Sequence, residues 1–180
     1  VGFITQIYLL VIIVANSISI GSLAVISRAI AAGDGERAID AAKHSLLLGL
    51  LISVAFTAVC LIFYRSIIFA AGFPQEITDI AENFLQIFAF ALGPNYLLII
   101  SNTIFRAGAE VKKPLVTMFV ISMVNIALDF LLVFGIPPFP RLGYAGIAYS
   151  TAISTLLGTM MNLMFLGFCE RWRLVFSNFG

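Results

Sequence analysis

Polar residues are sparse along this chain and fall into a few clusters, with long apolar runs between them. A membrane-crossing helix needs about 20 mostly apolar residues, and five runs reach that length: about 1–26, 45–71, 80–105, 114–134 and 143–168. The runs show almost no alternation of apolar and polar positions, so they do not read as β-barrel strands. Helices are the remaining way to satisfy a backbone in hydrocarbon. The expected fold is therefore all-α, a polytopic membrane protein with about five transmembrane helices.

The breaks between the runs carry helix-end signals. Gly33 suits the left-handed position just past a helix. Asp34 suits the cap of the next helix, with Glu36 near its positive end. That helix begins amphipathic, through Arg37, Asp40, Lys43 and His44, before its apolar run. Gly72-Phe73-Pro74 makes a second turn, with Thr78 or Asp79 as the following cap. Gly93-Pro94 interrupts the third run, where proline removes a backbone donor and predicts a kink. Pro114 opens the fourth span in its first turn. The Pro-rich segment 135–141 separates the fourth and fifth spans.

Composition supports a lipid environment. The chain is 61% hydrophobic and 11% charged, with mean hydropathy +1.08, whereas soluble domains are near half apolar and a quarter charged. The basic residues set the orientation. Arg28, Arg37, Lys43, Arg106, Lys112, Lys113, Arg171 and Arg173 fall on one side, and only Arg65 and Arg141 on the other. By the positive-inside tendency, loops 27–44 and 106–113 and the C-terminal tail are expected in the cytoplasm of a cell that places the protein in its inner (plasma) membrane. The net charge of +1 gives no reason to expect a nucleic-acid partner. The chain starts at Val1 inside an apolar run and carries no second copy of any segment, so it reads as a fragment of something longer.

Chemistry is confined to a few positions. Cys60 and Cys169 sit in apolar runs with no metal or disulfide spacing, and His44 lies at an interface. No phosphate loop, catalytic triad or paired carboxylate motif is visible, so an enzyme is not expected. Asp129 is the one acidic residue well inside a span, about 7 Å from the middle of the fourth helix at 1.5 Å per residue. A charged side chain at the bilayer centre costs about 2.5–3.5 kcal/mol on insertion scales, which makes such a residue a functional candidate. Asn125 and Ser122 precede it at helical spacing, forming a polar stripe expected to face the protein interior. Without a basic partner at that depth, the carboxylate is neutralised by binding a proton or a cation. The fifth span offers Thr151, Thr155, Gly158, Thr159 and Asn162, a pattern that also serves plain helix packing. The third offers Asn95 and Asn102 beyond the proline.

The loops carry a resemblance. The run from Ser27 to Ala38 resembles the first cytoplasmic loop of the multidrug and toxic compound extrusion (MATE) family, and Phe105 to Pro114 is similar to its RAxGDxKxP loop. Asn125 to Gly135 and Leu142 to Ser154 resemble its fifth and sixth helices. The resemblance implies a twelve-helix transporter of two six-helix lobes, of which residues 1–180 would be helices two to six of the N-terminal lobe. The first helix and the C-terminal lobe would lie outside the chain. It also implies export of cationic amphipathic organic compounds in exchange for sodium ions or protons, with no cofactor.

Carried over by position, the family's cation site falls on Asn102, Asn125, Asp129 and Thr151, with Asp129 and Asn125 as a possible sodium site. Family members usually have Gly-Asp where this chain has Ala109-Glu110, and often a small residue at Tyr149. Two alternatives remain. A lipid-linked oligosaccharide flippase of the related fold would place arginines inside the cavity, and none is seen. A membrane enzyme or pore subunit would need acidic pairs or repeated polar rings.

Overall fold

The computed structural model describes residues 2–70, 75–137 and 141–168. They form five helices: α1 (Gly2–Ala31), α2 (Gly35–Ala70), α3 (Gln75–Ala107), α4 (Lys112–Phe134) and α5 (Tyr144–Phe168). All five are long and apolar enough to cross a membrane. They match the five expected spans in order, and most extend a few residues further at their ends. The 36 residues of α2 make a rod of about 54 Å against a hydrocarbon core of about 30 Å. The excess is long enough for its charged first ten residues to stand beyond the core.

The turns at the basic end share one geometry. Gly33 has φ +75°, and the amides of Gly33 and Asp34 bond back to Ile30 O and Ala29 O, each at 3.0 Å. This is the left-handed helix stop that favours glycine. Asp34 Oδ1 then accepts the Arg37 amide at 2.9 Å, capping α2 as expected. At the α3–α4 turn Glu110 N bonds to Phe105 O at 2.9 Å, and Glu110 pairs with Lys113 at 2.5 Å. The left-handed position here is held by Ala109, at φ +60°, although its Cβ disfavours that conformation.

One expectation at a helix end is corrected. Thr78 and Asp79 lie inside α3, which already begins at Gln75, and the turn proposed at 72–74 falls outside the described residues. Pro114 lies in the first turn of α4, as expected, at its third residue; it is harmless there because the first four amides of a helix lack intrahelical partners. Helix α3 runs on through Pro94. Hydroxyls from both neighbours serve the proline segment: Thr159 donates to Pro94 O at 2.6 Å, and Thr57 to Ala89 O at 2.8 Å.

Helix α3 is the centre of the bundle. It packs against α1, α2 and α5 and touches α4 lightly, whereas α4 rests mainly on α5. At the basic end Ile26, Ala29, Ala38, Ala42, Leu46, Ile100, Ile104 and Phe105 form one core. Further along, Val11, Ala15, Cys60, Ala89, Leu92 and Tyr96 form a second, so Cys60 is a core residue. Cys169 lies outside the described residues. Polar rungs cross these cores. Tyr96 donates its hydroxyl to Val11 O at 2.6 Å, and the Ser19 and Thr103 hydroxyls meet at 2.5 Å. Thr103 also lies 2.9 Å from Ile99 O, so its proton goes there and Ser19 is the donor of the rung. Large side chains such as Leu10, Ile20, Ile62, Leu115 and Phe119 point outward, as a surface solvated by lipid requires.

Replacing Ala109 by glycine removes the steric cost of the left-handed turn. Ala109→Gly in the whole protein is expected to raise stability by about 1 kcal/mol, read as a higher Tm in detergent.

Candidate functional site

The site is built on the α4–α5 pair. Along α5, Gly146, Ser150, Ser154, Gly158 and Asn162 recur every four residues, and all are buried. A four-residue step keeps them on one face, and their small size lets a second backbone approach. A Cβ on Gly146 would lie 3.0 Å from the carbonyl carbon of Leu132. One turn on, Ser150 Oγ donates to Asp129 Oδ1. One turn further, Asn125 Nδ2 donates to Ser154 Oγ at 3.4 Å and Thr151 Oγ1 at 3.5 Å. Ile121 then packs over Gly158. Three or four residues back along α4 are answered by four residues forward along α5, as an antiparallel pair demands.

Asp129 is thus half-buried against α5 with a hydroxyl partner. Among the described residues no Lys, Arg or His forms an ion pair with it. Ser150 has a second acceptor within reach, Ile147 O at 3.0 Å, yet only one proton to give. Its hydroxyl serves the carboxylate or its own helix, not both. Thr151 is likewise tied to Ile147 O, at 2.9 Å. With its Nδ2 turned to α5, Asn125 has Oδ1 as the atom able to ligate a cation. A carboxylate oxygen, an amide oxygen and a hydroxyl are donors of the hard type that such cations accept. No group of three or more His, Cys, Asp or Glu suited to a metal occurs among the described residues.

Asn102, expected as a fourth member, is not brought to Asp129. It is buried and accepts a hydrogen bond from Asn162 Nδ2 at 2.7 Å, while the same nitrogen reaches Ser101 Oγ at 3.0 Å. Asn162 is twelve residues beyond Ser150 on α5, about 18 Å along the axis. The reason is depth: Asn102 lies five residues from the basic end of α3, whereas Asp129 lies five residues from the opposite end of α4. Ser122, expected in the inward stripe, is exposed. Sequence reasoning missed Ser150 and Ser154, although the four-residue recurrence on α5 was the signal that marks them.

On another face of α5, at the Asp129 end, a groove of about 440 Å³ opens against α3. Asn83, Gln86 and Phe90 line one wall, and Tyr149, Ala152 and Leu156 the other. Tyr149 on the groove and Ser150 on the carboxylate are consecutive residues, so a rotation of α5 moves both.

Gly146 tests the close approach of the two helices. Gly146→Val would drive its side chain into the Leu132 backbone, with an expected loss of about 1–3 kcal/mol, measured by thermal unfolding of the whole protein.

Comparison with known proteins agrees with this arrangement. The MatE family model matches residues 1–131. "Probable multidrug resistance protein YoeA" of Bacillus subtilis (strain 168) is 29% identical over 159 residues, covering 88% of this chain and 34% of the relative. An "FAD transporter" of Shewanella oneidensis is 27% identical over 156 residues, covering 84% of this chain and 34% of the relative. A solved MATE structure in complex with MaL6 superposes with a TM-score of 0.87 at 25% identity, covering 95% of this chain and 37% of that one. The chain therefore spans about a third of the length of the curated relatives it matches. With five membrane-capable helices in this arrangement and the family model covering most of its length, it is a multi-pass membrane protein that belongs to the MatE family of transporters.

Proposed function

We propose that residues 1–180 are helices two to six of the N-terminal lobe of a cation-coupled antiporter, in which Asp129 binds the coupling ion. The carrying observation is the Asp129 carboxylate, half-buried between apolar helices with the Ser150 hydroxyl and no basic partner among the described residues. Such a group stays in a membrane by taking up a positive charge. A proton suffices, and so does a sodium ion held with Asn125 Oδ1 and Thr151 Oγ1. The basic loops 27–44 and 106–113 and the C-terminal tail face the cytoplasm in this reading.

Ser150 links the ion to the helix. With Asp129 ionised, the Ser150 proton goes to the carboxylate. With Asp129 protonated, that proton returns to Ile147 O and the carboxyl O–H donates to Ser150 Oγ instead, so the bond between α4 and α5 reverses direction. The change in α5 is felt across the helix at Tyr149 and at the α3–α5 groove. It is also felt near Pro94, whose carbonyl is held by Thr159 of the same helix. A groove with two amide side chains and two aromatic rings suits an amphipathic organic cation, which sits on the face of an aromatic ring. Ion binding on one face of α5 thereby loosens cargo on another, which is the exchange an antiporter needs. Asn102 belongs to a separate polar cluster and takes no part in holding the ion.

The second reading is a transporter of the same fold with a different cargo, such as a lipid-linked oligosaccharide. One named relative, the FAD transporter, keeps that reading open. The lack of any Lys or Arg among the described residues lining the α3–α5 groove favours a cationic cargo over a phosphorylated one.

Two substitutions in the complete transporter test the proposal. Asp129→Asn, assayed in vesicles with an imposed sodium or proton gradient, is expected to lower ion-driven efflux at least about fivefold, the low end of ordinary coupling energies. Full efflux in that variant would end the reading. Ser150→Ala is expected to keep cargo binding while weakening its response to the ion, measured as cargo affinity with and without the gradient ion.

A further inference from the structure

Two side-chain atoms among the described residues are buried without a hydrogen-bond partner: Thr117 Oγ1 and Asn162 Oδ1. Both residues are 0% exposed. The α4–α5 register brings them to the same level. Leu132 meets Gly146, Asp129 meets Ser150, Asn125 meets Ser154 and Ile121 meets Gly158, so the next step sets Thr117 opposite Asn162. The Thr117 methyl already lies 3.5 Å from where a Cβ on Gly158 would stand, one turn before Asn162.

One of the two atoms carries a proton to give, and the other is a carbonyl oxygen able to accept it, yet no direct bond forms between them. Leaving either unsatisfied in a membrane interior is costly. Asn162 cannot turn its amide round to relieve the cost. Its Nδ2 is engaged by Asn102 Oδ1 at 2.7 Å and Ser101 Oγ at 3.0 Å, and a flip would set two carbonyl oxygens against each other. A buried donor and a buried acceptor at one level of the helix pair, neither with a partner, are the groups a buried water joins, since such a water typically makes two to four hydrogen bonds. None of the four side chains Ser101, Asn102, Thr117 and Asn162 is a carboxylate. A bare cation would stay uncompensated there, whereas a neutral water would not.

We propose that a single internal water bridges Thr117 Oγ1 and Asn162 Oδ1, completing a polar node that joins α3, α4 and α5 toward their basic end. The bridge has a structural consequence. Helices α3 and α4 barely touch directly, so the path from Thr117 through water to Asn162 and on to Asn102 and Ser101 ties the Asp129-bearing helix to the central helix. The packing of Ile121 over Gly158 sets one apolar layer between this node and the Asp129 cluster. The node does not rest on the ion-coupling reading.

The test uses the whole transporter. A high-resolution structure is expected to show a solvent peak within hydrogen-bonding distance of Thr117 Oγ1 and Asn162 Oδ1. Thr117→Val, nearly the same shape without the hydroxyl, is expected to lower Tm by about 2 °C or more, while Thr117→Ser, which keeps it, stays near the native value. A direct Thr117–Asn162 bond or an empty gap in the density overturns the proposal. So does an unchanged or higher Tm for Thr117→Val, since deleting an unpaired hydroxyl from a dry interface relieves a cost.

Discussion

A polar group in hydrocarbon has no lipid partner to turn to, and most buried polar side chains described in this bundle are placed under that constraint. The carboxylate of Asp129 is the extreme case. Its answer is not an opposing charge but the small-residue face of α5, which brings a hydroxyl, Ser150, to its oxygen. That contact requires α4 and α5 to lie close, and closeness requires Gly146 and Gly158 one and two turns either side. The same face then receives Asn125 through Ser154 and Thr151. One packing choice, a four-residue recurrence of small residues, thereby serves both assembly and chemistry. A fully paired site would be more stable and unable to respond. A carboxylate held by a single shared hydroxyl retains capacity for a cation.

The rest of the bundle makes that pair useful. Helix α3 bears the proline and lies between the α1–α2 hairpin and α5. Thr57 and Thr159 reach it from opposite neighbours, at Ala89 O and Pro94 O. In the proposed exchange, a change in α5 reaches α3 through the Thr159 hydroxyl bonded at the proline. The groove on the same stretch of both helices is where such a shift meets cargo in the proposed exchange. Phe90 and Tyr149 give it aromatic walls, and Asn83 and Gln86 give it amides.

Much of this was legible in the sequence because hydrocarbon imposes a long, uniform signal. The five apolar runs gave five helices, and Gly33 and Asp34 ended and began helices as their chemistry dictates. Asp129 stood out because little else polar lies that deep. What was not legible was depth between helices. Asn102 and Asp129 each read as inward polar residues, but antiparallel connection puts them near opposite ends of the bundle, and the amide of Asn162 claims Asn102. Ser150 and Ser154 were overlooked because serine in a membrane helix usually returns its proton to its own backbone, as Ser17, Ser22 and Ser45 do here. Only the facing helix distinguishes those that reach across. Ala109 kept the turn that glycine would favour, since Glu110 and Lys113 close the loop over it.

The claim at the centre is that the Asp129 carboxyl itself takes up the coupling ion. Infrared difference spectroscopy on the complete transporter, with and without sodium ions or across a pH step, reads that group directly. The account predicts an ion-dependent change in a carboxyl band that disappears in Asp129→Asn. A band change that persists unaltered in that variant would place the ion on another carboxylate and contradict it.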